Sequence, residues 1–202
     1  KVLRKSEVGQ VIHEYSEKFK GREHCFDERK FFPKTWVLSE KSQCEEFFKE
    51  FNSEYYKNLK QERGVVYLRK VAVGVHQGEG VFPVAEAEEE NLIKQYQNGS
   101  LCGQENSSNL IQYMVHNPLL LEGRKFDFRV YMLVASTNPI IAYSYDGYLR
   151  VSLSEYDGKS EDKNTFVTNI VLNKDVFALA GKKGKYKGMT NLLISLYIKI
   201  CL

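Results

Sequence analysis

The sequence has no C-x-x-C pair, no clustered histidines and no apolar run long enough to span a bilayer, and each absence removes a class of protein. Its four cysteines, Cys25, Cys44, Cys102 and Cys201, are scattered along 202 residues. That spacing predicts free thiols in a reducing compartment, with no disulfide framework and no structural zinc. His13, His24, His76 and His116 are as widely dispersed, so no metal cluster is expected from them. A membrane helix takes about 20 apolar residues, whereas the stretch Leu192 to Leu202 is shorter and carries Lys199. No secretory leader is visible. The chain starts at Lys1 rather than Met and stops inside that apolar stretch, which reads as a fragment cut at both ends. An excess of charge is also lacking, since 29 Lys and Arg stand against 26 Asp and Glu for a net of +3. This is too sparse for the basic stripe of a nucleic-acid binder and suits an anionic ligand or an acidic protein surface. There is no Walker phosphate-binding sequence and no internal repeat.

What is present is an alternation of helical and extended patterns. Ser6 can cap a helix whose apolar positions Val8, Val11, Ile12, Tyr15 and Phe19 have helical spacing, with Gly21 as its stop. Phe31 to Leu38 reads as extended. Ser42-x-x-Glu45 then forms a capping box that opens one helix, with Cys44, Phe47, Phe48, Phe51 and Tyr55 on its apolar stripe and Gly64 at its end. Val65 to Arg69 and Gly80 to Val84 read as strands, the second at a sheet edge because Pro83 cannot donate to a ladder. Between them lie Lys70 and the glycine loop Gly74-Val-His-Gln-Gly78-Glu-Gly80, whose backbone could approach phosphate oxygens closely or simply turn the chain. Ala85 to Gln97 is a helix with an acidic start, Asn109 to Val115 a strand, and Phe166 to Asn169 a short strand or turn. The basic glycine stretch Gly181 to Gly188 reads as a linker.

The segment Gly123-Arg-Lys-Phe-Asp-Phe-Arg129, continuing to Ser136, is the most informative. Its period of two predicts a core strand with Lys125, Asp127 and Arg129 on one face and Phe126, Phe128, Val130, Met132 and Val134 on the other. Two cations flanking a carboxylate make a platform for phosphate and metal; the same pattern also describes an exposed ion-paired strand. Asp146-Gly147 predicts a two-residue hairpin joining Pro139 to Tyr145 with Tyr148 to Leu153, which would put Arg150 across from Tyr143.

Gln112 to Asn117, the run Pro118-Leu-Leu-Leu-Glu-Gly-Arg-Lys-Phe-Asp-Phe-Arg129, Tyr148-Leu-Arg150 and Thr168-Asn169 closely resemble the tubulin tyrosine ligase-like family of ATP-grasp amino-acid ligases. The likeness runs from about Lys5 to Lys174, and the wording of Asp146 to Arg150 and Leu153 to Tyr156 is most similar to the branch that elongates glycine chains. The resemblance implies an α+β, ATP-grasp-like fold, with central and C-terminal antiparallel sheets, flanking helices and an incomplete C-terminus. It further implies an N-terminal region over 1–64, a central subdomain with the glycine loop over 65–118 and a C-terminal subdomain over 119–202.

Roles follow from the resemblance position by position. It implies that Lys5 and Lys70 contact ATP phosphates, Gly78 and Gly80 close over them, and Gln112 lies beside adenine. Lys125 and Asp127 match a nucleotide-contacting pair, Thr168 and Asn169 the loop completing the pocket, and Arg129 and Arg150 catalytic arginines near the γ-phosphate and acceptor. The implied reaction activates a carboxylate of tubulin, or of another acidic protein, as an acyl phosphate that a free amino acid, glycine or else glutamate, then attacks. ATP and magnesium are its implied cofactors, with neither nucleic acid nor membrane as partner, in the cytoplasm on microtubules or cilia.

Some positions depart from the family pattern. Lys70 precedes Gly78 by one residue more, Tyr113 and Met114 replace the usual residues after the glutamine, and Phe166 stands where the family has a histidine. The family's magnesium-binding Asp and Glu-x-Asn have no counterpart before Leu202, so the chain as given is expected not to catalyse ligation. A non-catalytic relative that binds nucleotide or tubulin is the alternative reading, and an unrelated α/β module with an acidic partner is a third.

Overall fold

Aromatic side chains at helical spacing in one segment meet single aromatics from three strands to form the core. The computed structural model describes residues 5–22, 30–71, 80–104 and 109–168. In chain order the elements are α1 (Lys5–Lys18), β1 (Thr35–Val37), α2 (Lys41–Phe51), α3 (Glu54–Arg63), β2 (Tyr67–Val71) and β3 (Val81–Pro83). They continue with α4 (Glu86–Gln97), β4 (Asn109–Tyr113), β5 (Leu120–Leu121), β6 (Arg124–Thr137), β7 (Ile140–Val151) and a 3-10 turn at Lys163–Thr165. The α+β class expected from the sequence is what the chain adopts. Its contacts divide it into two units, Lys1–Asn117 with Gly158–Lys163, and Pro118–Asp157 with Asn164–Leu202.

The first unit is built on an antiparallel sheet of order β1-β4-β2-β3. Pro83 does sit on an edge strand, opposite Leu68. Register places Trp36, Ile111, Arg69, Tyr67 and Tyr113 on one face. There Trp36 meets Phe47 of α2 at 5.4 Å and Tyr67 stacks on Tyr56 of α3 at 5.1 Å. Phe48 stacks on Tyr96 of α4 at 3.9 Å. The opposite face carries Thr35, Leu68, Lys70, Leu110 and Gln112. Residues 158–163 belong to this unit although their neighbours do not, and Lys163 lies over the Phe82 ring at 4.1 Å.

Glu50 fastens α2 to the sheet, accepting hydrogen bonds from Tyr113, from Tyr67 at 2.9 Å and from Lys34 at 3.0 Å. Burial alone would raise its carboxyl, but those three donors outweigh burial and hold it below the ordinary value of 4.5. An acid depressed in the folded state contributes stability above its unfolded pKa and loses it as pH falls through the folded one. Glu50→Gln is therefore expected to lower the melting temperature at pH 7, with the gap to wild type closing in melts taken at successively lower pH below 4.5. A gap independent of pH would mean that shape rather than charge holds the contact.

Three local expectations are corrected. The predicted single helix is two, because Ser53 accepts from Tyr56 N at 3.2 Å and caps α3, so Tyr56 is buried and Tyr55 is exposed. The capping box is not used: α2 begins at Lys41 after Glu40, and Gln43 instead accepts from Val37 N at 2.9 Å, tying the helix back to β1. Cys44 and Cys102 are not free thiols but a disulfide with Cα atoms 5.5 Å apart. Gly103 N donates to Leu38 O at 3.1 Å and carries the turn after α4 to the buried Cys44.

The second unit is an antiparallel sheet of order β5-β6-β7. No hairpin forms at Asp146-Gly147. β7 runs unbroken through both residues, and the chain reverses between Thr137 and Ile140. Because Arg129 pairs with Tyr148 and Tyr131 with Tyr145, residues 146 and 147 together oppose Val130 as a β-bulge. The strand expected to be core is apolar but largely uncovered among the described residues, with Met132 72% and Leu133 66% exposed.

Candidate functional site

Each unit carries, among the described residues, a cluster of the sequence-predicted polar side chains on a sheet face, and the alternation of its strands decides which side chains meet. In the first unit Lys70 on β2 and Gln112 on β4 project from the same face, and Lys70 Nζ donates to Gln112 Oε1. Gln112 Nε2 in turn donates to Thr35 Oγ1 on β1 at 2.7 Å, and that hydroxyl donates to Pro33 O at 2.8 Å. The resemblance thus names two residues that touch, and Thr35, which bonds the far end of the Gln112 amide, is not among those it names. Its only sequence signal was its place in a short extended run.

In the second unit Asp127 and Arg150 are directly opposed on β6 and β7, correcting the expected pairing of Arg150 with Tyr143. Arg150 grips the carboxylate as a fork, with Nε on Oδ1 at 2.9 Å and Nη2 on Oδ2. Lys125 lies two residues before Asp127 on the same face. Burial lowers its pKa, a shift that Arg150 adds to and Asp127 opposes. Arg129 continues this face, exposed and with its guanidinium 5.5 Å from the Tyr131 ring centre. Three cations around one carboxylate leave the face with net positive charge, which suits phosphate oxygens.

The remaining predicted residues are placed more simply. Lys5 opens α1. Gly80 closes the β2–β3 hairpin by accepting from Val71 N at 2.8 Å. Thr168 is buried in the second unit. Gly78, Asn169 and the basic stretch 181–188 lie outside the described residues. A cavity of about 370 Å³ between α1, β1 and α2 is lined by Gly9, His13, Thr35, Trp36, Gln43 and Glu46 among others, and by none of the sequence-predicted residues.

The donor set fits a phosphate-bearing ligand better than a magnesium ion. Magnesium needs near-octahedral oxygen ligands, and Asp127 has both oxygens engaged by Arg150. Among the described residues no group of three His, Cys, Asp or Glu side chains could hold a metal, and no helix is long and apolar enough to cross a membrane.

The sequence model of the tubulin-tyrosine ligase family matches residues 2–197. The chain belongs to that family. Its fold is accordingly ATP-grasp-like. The chain is 30% identical over 154 residues to the protein polyglycylase TTLL10 of Macaca fascicularis, covering 71% of this chain and 23% of that protein. It is equally 30% identical to the inactive polyglycylase TTLL10 of Homo sapiens, covering 21% of it. To a probable beta-tubulin polyglutamylase of Tetrahymena thermophila it is 28% identical over 161 residues, or 77% of this chain and 12% of that one. The chain thus spans under a quarter of the length of these family members. One relative named a polyglycylase and one named an inactive polyglycylase stand at the same identity, so likeness alone does not decide activity.

Proposed function

We propose that this chain carries nucleotide-handling residues of an ATP-dependent ligase that joins an amino acid, glycine before glutamate, to a carboxylate of tubulin or another acidic protein. The observation that supports this reading best is the fixed fork between Arg150 and Asp127 beside Lys125 and Arg129, since it sets cations on one rigid sheet face. In this reading Lys70 binds phosphate oxygens while Gln112 holds its ammonium and borders the base. Lys125 and Asp127 contact the nucleotide. Arg129 and Arg150 offset charge that builds on the phosphoryl group and on the tetrahedral intermediate formed when the amine attacks the acyl phosphate. Lys5, Gly78, Gly80, Thr168 and Asn169 complete the nucleotide set. The reaction would place the protein on microtubules or cilia.

A second reading, a relative that binds nucleotide or tubulin without ligating, is supported by the likeness to the inactive polyglycylase of Homo sapiens. Calorimetric titration of the chain with ATP tests the shared part of both readings. Wild type is expected to bind, and Lys70→Ala to weaken binding by about tenfold or more, the worth of one charge-assisted hydrogen bond. Incorporation of labelled glycine into tubulin then separates them. No ATP binding by the wild-type chain would sink both.

A further inference from the structure

We infer that Thr35 is a positioning residue for the nucleotide-binding face of the first unit, acting through Gln112 on Lys70. The inference rests on the proposal that Lys70 binds phosphate oxygens. It follows from donor and acceptor capacity alone. A lysine ammonium only donates, so the Gln112 atom that meets Lys70 Nζ must be the carbonyl Oε1. The amide is planar, so its Nε2 then faces the other way, toward Thr35 Oγ1 at 2.7 Å. That nitrogen only donates, so the hydroxyl must accept from it. The single hydroxyl proton goes to Pro33 O at 2.8 Å.

The four groups therefore have one consistent arrangement. The Pro33 carbonyl orients the Thr35 hydroxyl, the hydroxyl fixes which way the Gln112 amide lies, and the amide presents an oxygen rather than an N–H₂ to Lys70. All three side chains start from neighbouring strands, β1, β4 and β2, in register across one face, so the chain of bonds runs over a rigid support. Without an acceptor at position 35, the amide loses the bond that anchors its nitrogen end and can swing away from the ammonium. The hydrogen bond between Gln112 and Lys70 would then be weakened.

Thr35→Val removes the hydroxyl while keeping a β-branched side chain suited to a strand; Thr35→Ser keeps the hydroxyl. Calorimetric ATP titrations and thermal melts on the full chain test the assignment. Thr35→Val is expected to weaken ATP binding about three- to tenfold, the range for one lost hydrogen bond. Thr35→Ser should stay close to wild type, with similar melting temperatures for all three proteins. In a Lys70→Ala background Thr35→Val should have almost no further effect, because a residue acting through Lys70 has nothing left to position. ATP binding by Thr35→Val as tight as wild type, or an equal loss with and without Lys70, would overturn the role of Thr35 while leaving the nucleotide reading intact. Failure of the wild-type chain to bind ATP overturns the nucleotide reading and this inference together.

Discussion

Gly147→Ala is expected to disrupt the second unit, at a cost above about 3 kcal/mol, the upper end for overpacking in a rigid site. The added Cβ would fall on the Arg129 carbonyl, a backbone group that no side-chain rotation can clear. The bulge brings two β7 residues against Val130, and this crowds the chain where Arg129 leaves the polar face. Gly123→Ala is the matched control. Gly123 has φ of +75°, but its new Cβ would meet only Glu155 side-chain carbons, the nearest at 3.7 Å. Its cost should be the conformational one alone, about 1 kcal/mol. Thermal melts of both variants check the difference. Similar small losses would mean that β7 shifts its register easily and that the bulge is not a fixed feature.

Loss of the Cys44–Cys102 bond is expected to have a comparable effect. The two residues are 58 apart in sequence, and closing a loop of that length restricts the unfolded chain by about 4 kcal/mol at room temperature in the chain-entropy account. Urea titrations with and without reductant should differ by roughly 2 to 4 kcal/mol. Cys102→Ser should match the reduced wild type and no longer respond to reductant. Coincident wild-type curves would show that the two thiols contribute as the dispersed cysteine pattern predicts, without a bond.

What could be read from the sequence was periodic and local. The alternation from Phe126 onward located β6, the acidic start located α4, and Pro83 located an edge. What escaped depended on partners distant in sequence. Asp146-Gly147 has strong turn chemistry, yet pairing on both sides of it, from Thr137 opposite Ile140 back to Phe126 opposite Val151, absorbs the dipeptide into one long strand. That misplaced turn concealed the Asp127–Arg150 fork, although both residues had been singled out. The break at Asn52-Ser53 was hidden for a different reason: Tyr55 lies four residues after Phe51 and continues the α2 stripe on paper, whereas α3 buries Tyr56 and Leu59 instead. Thr35 is 77 residues from Gln112, and only the β1–β4 register brings them together.

The return of residues 158–163 to the first unit has a consequence for dissection of the molecule. The backbone passes from one unit to the other three times, after Asn117, after Asp157 and after Lys163. A single proteolytic nick at Asn117-Pro118 leaves residues 1–117 held by the packing of 158–163, including Lys163 over Phe82. A gene truncated after Asn117 would encode the first unit without that piece. The two units are therefore interleaved in sequence, and no one scission separates them into complete parts.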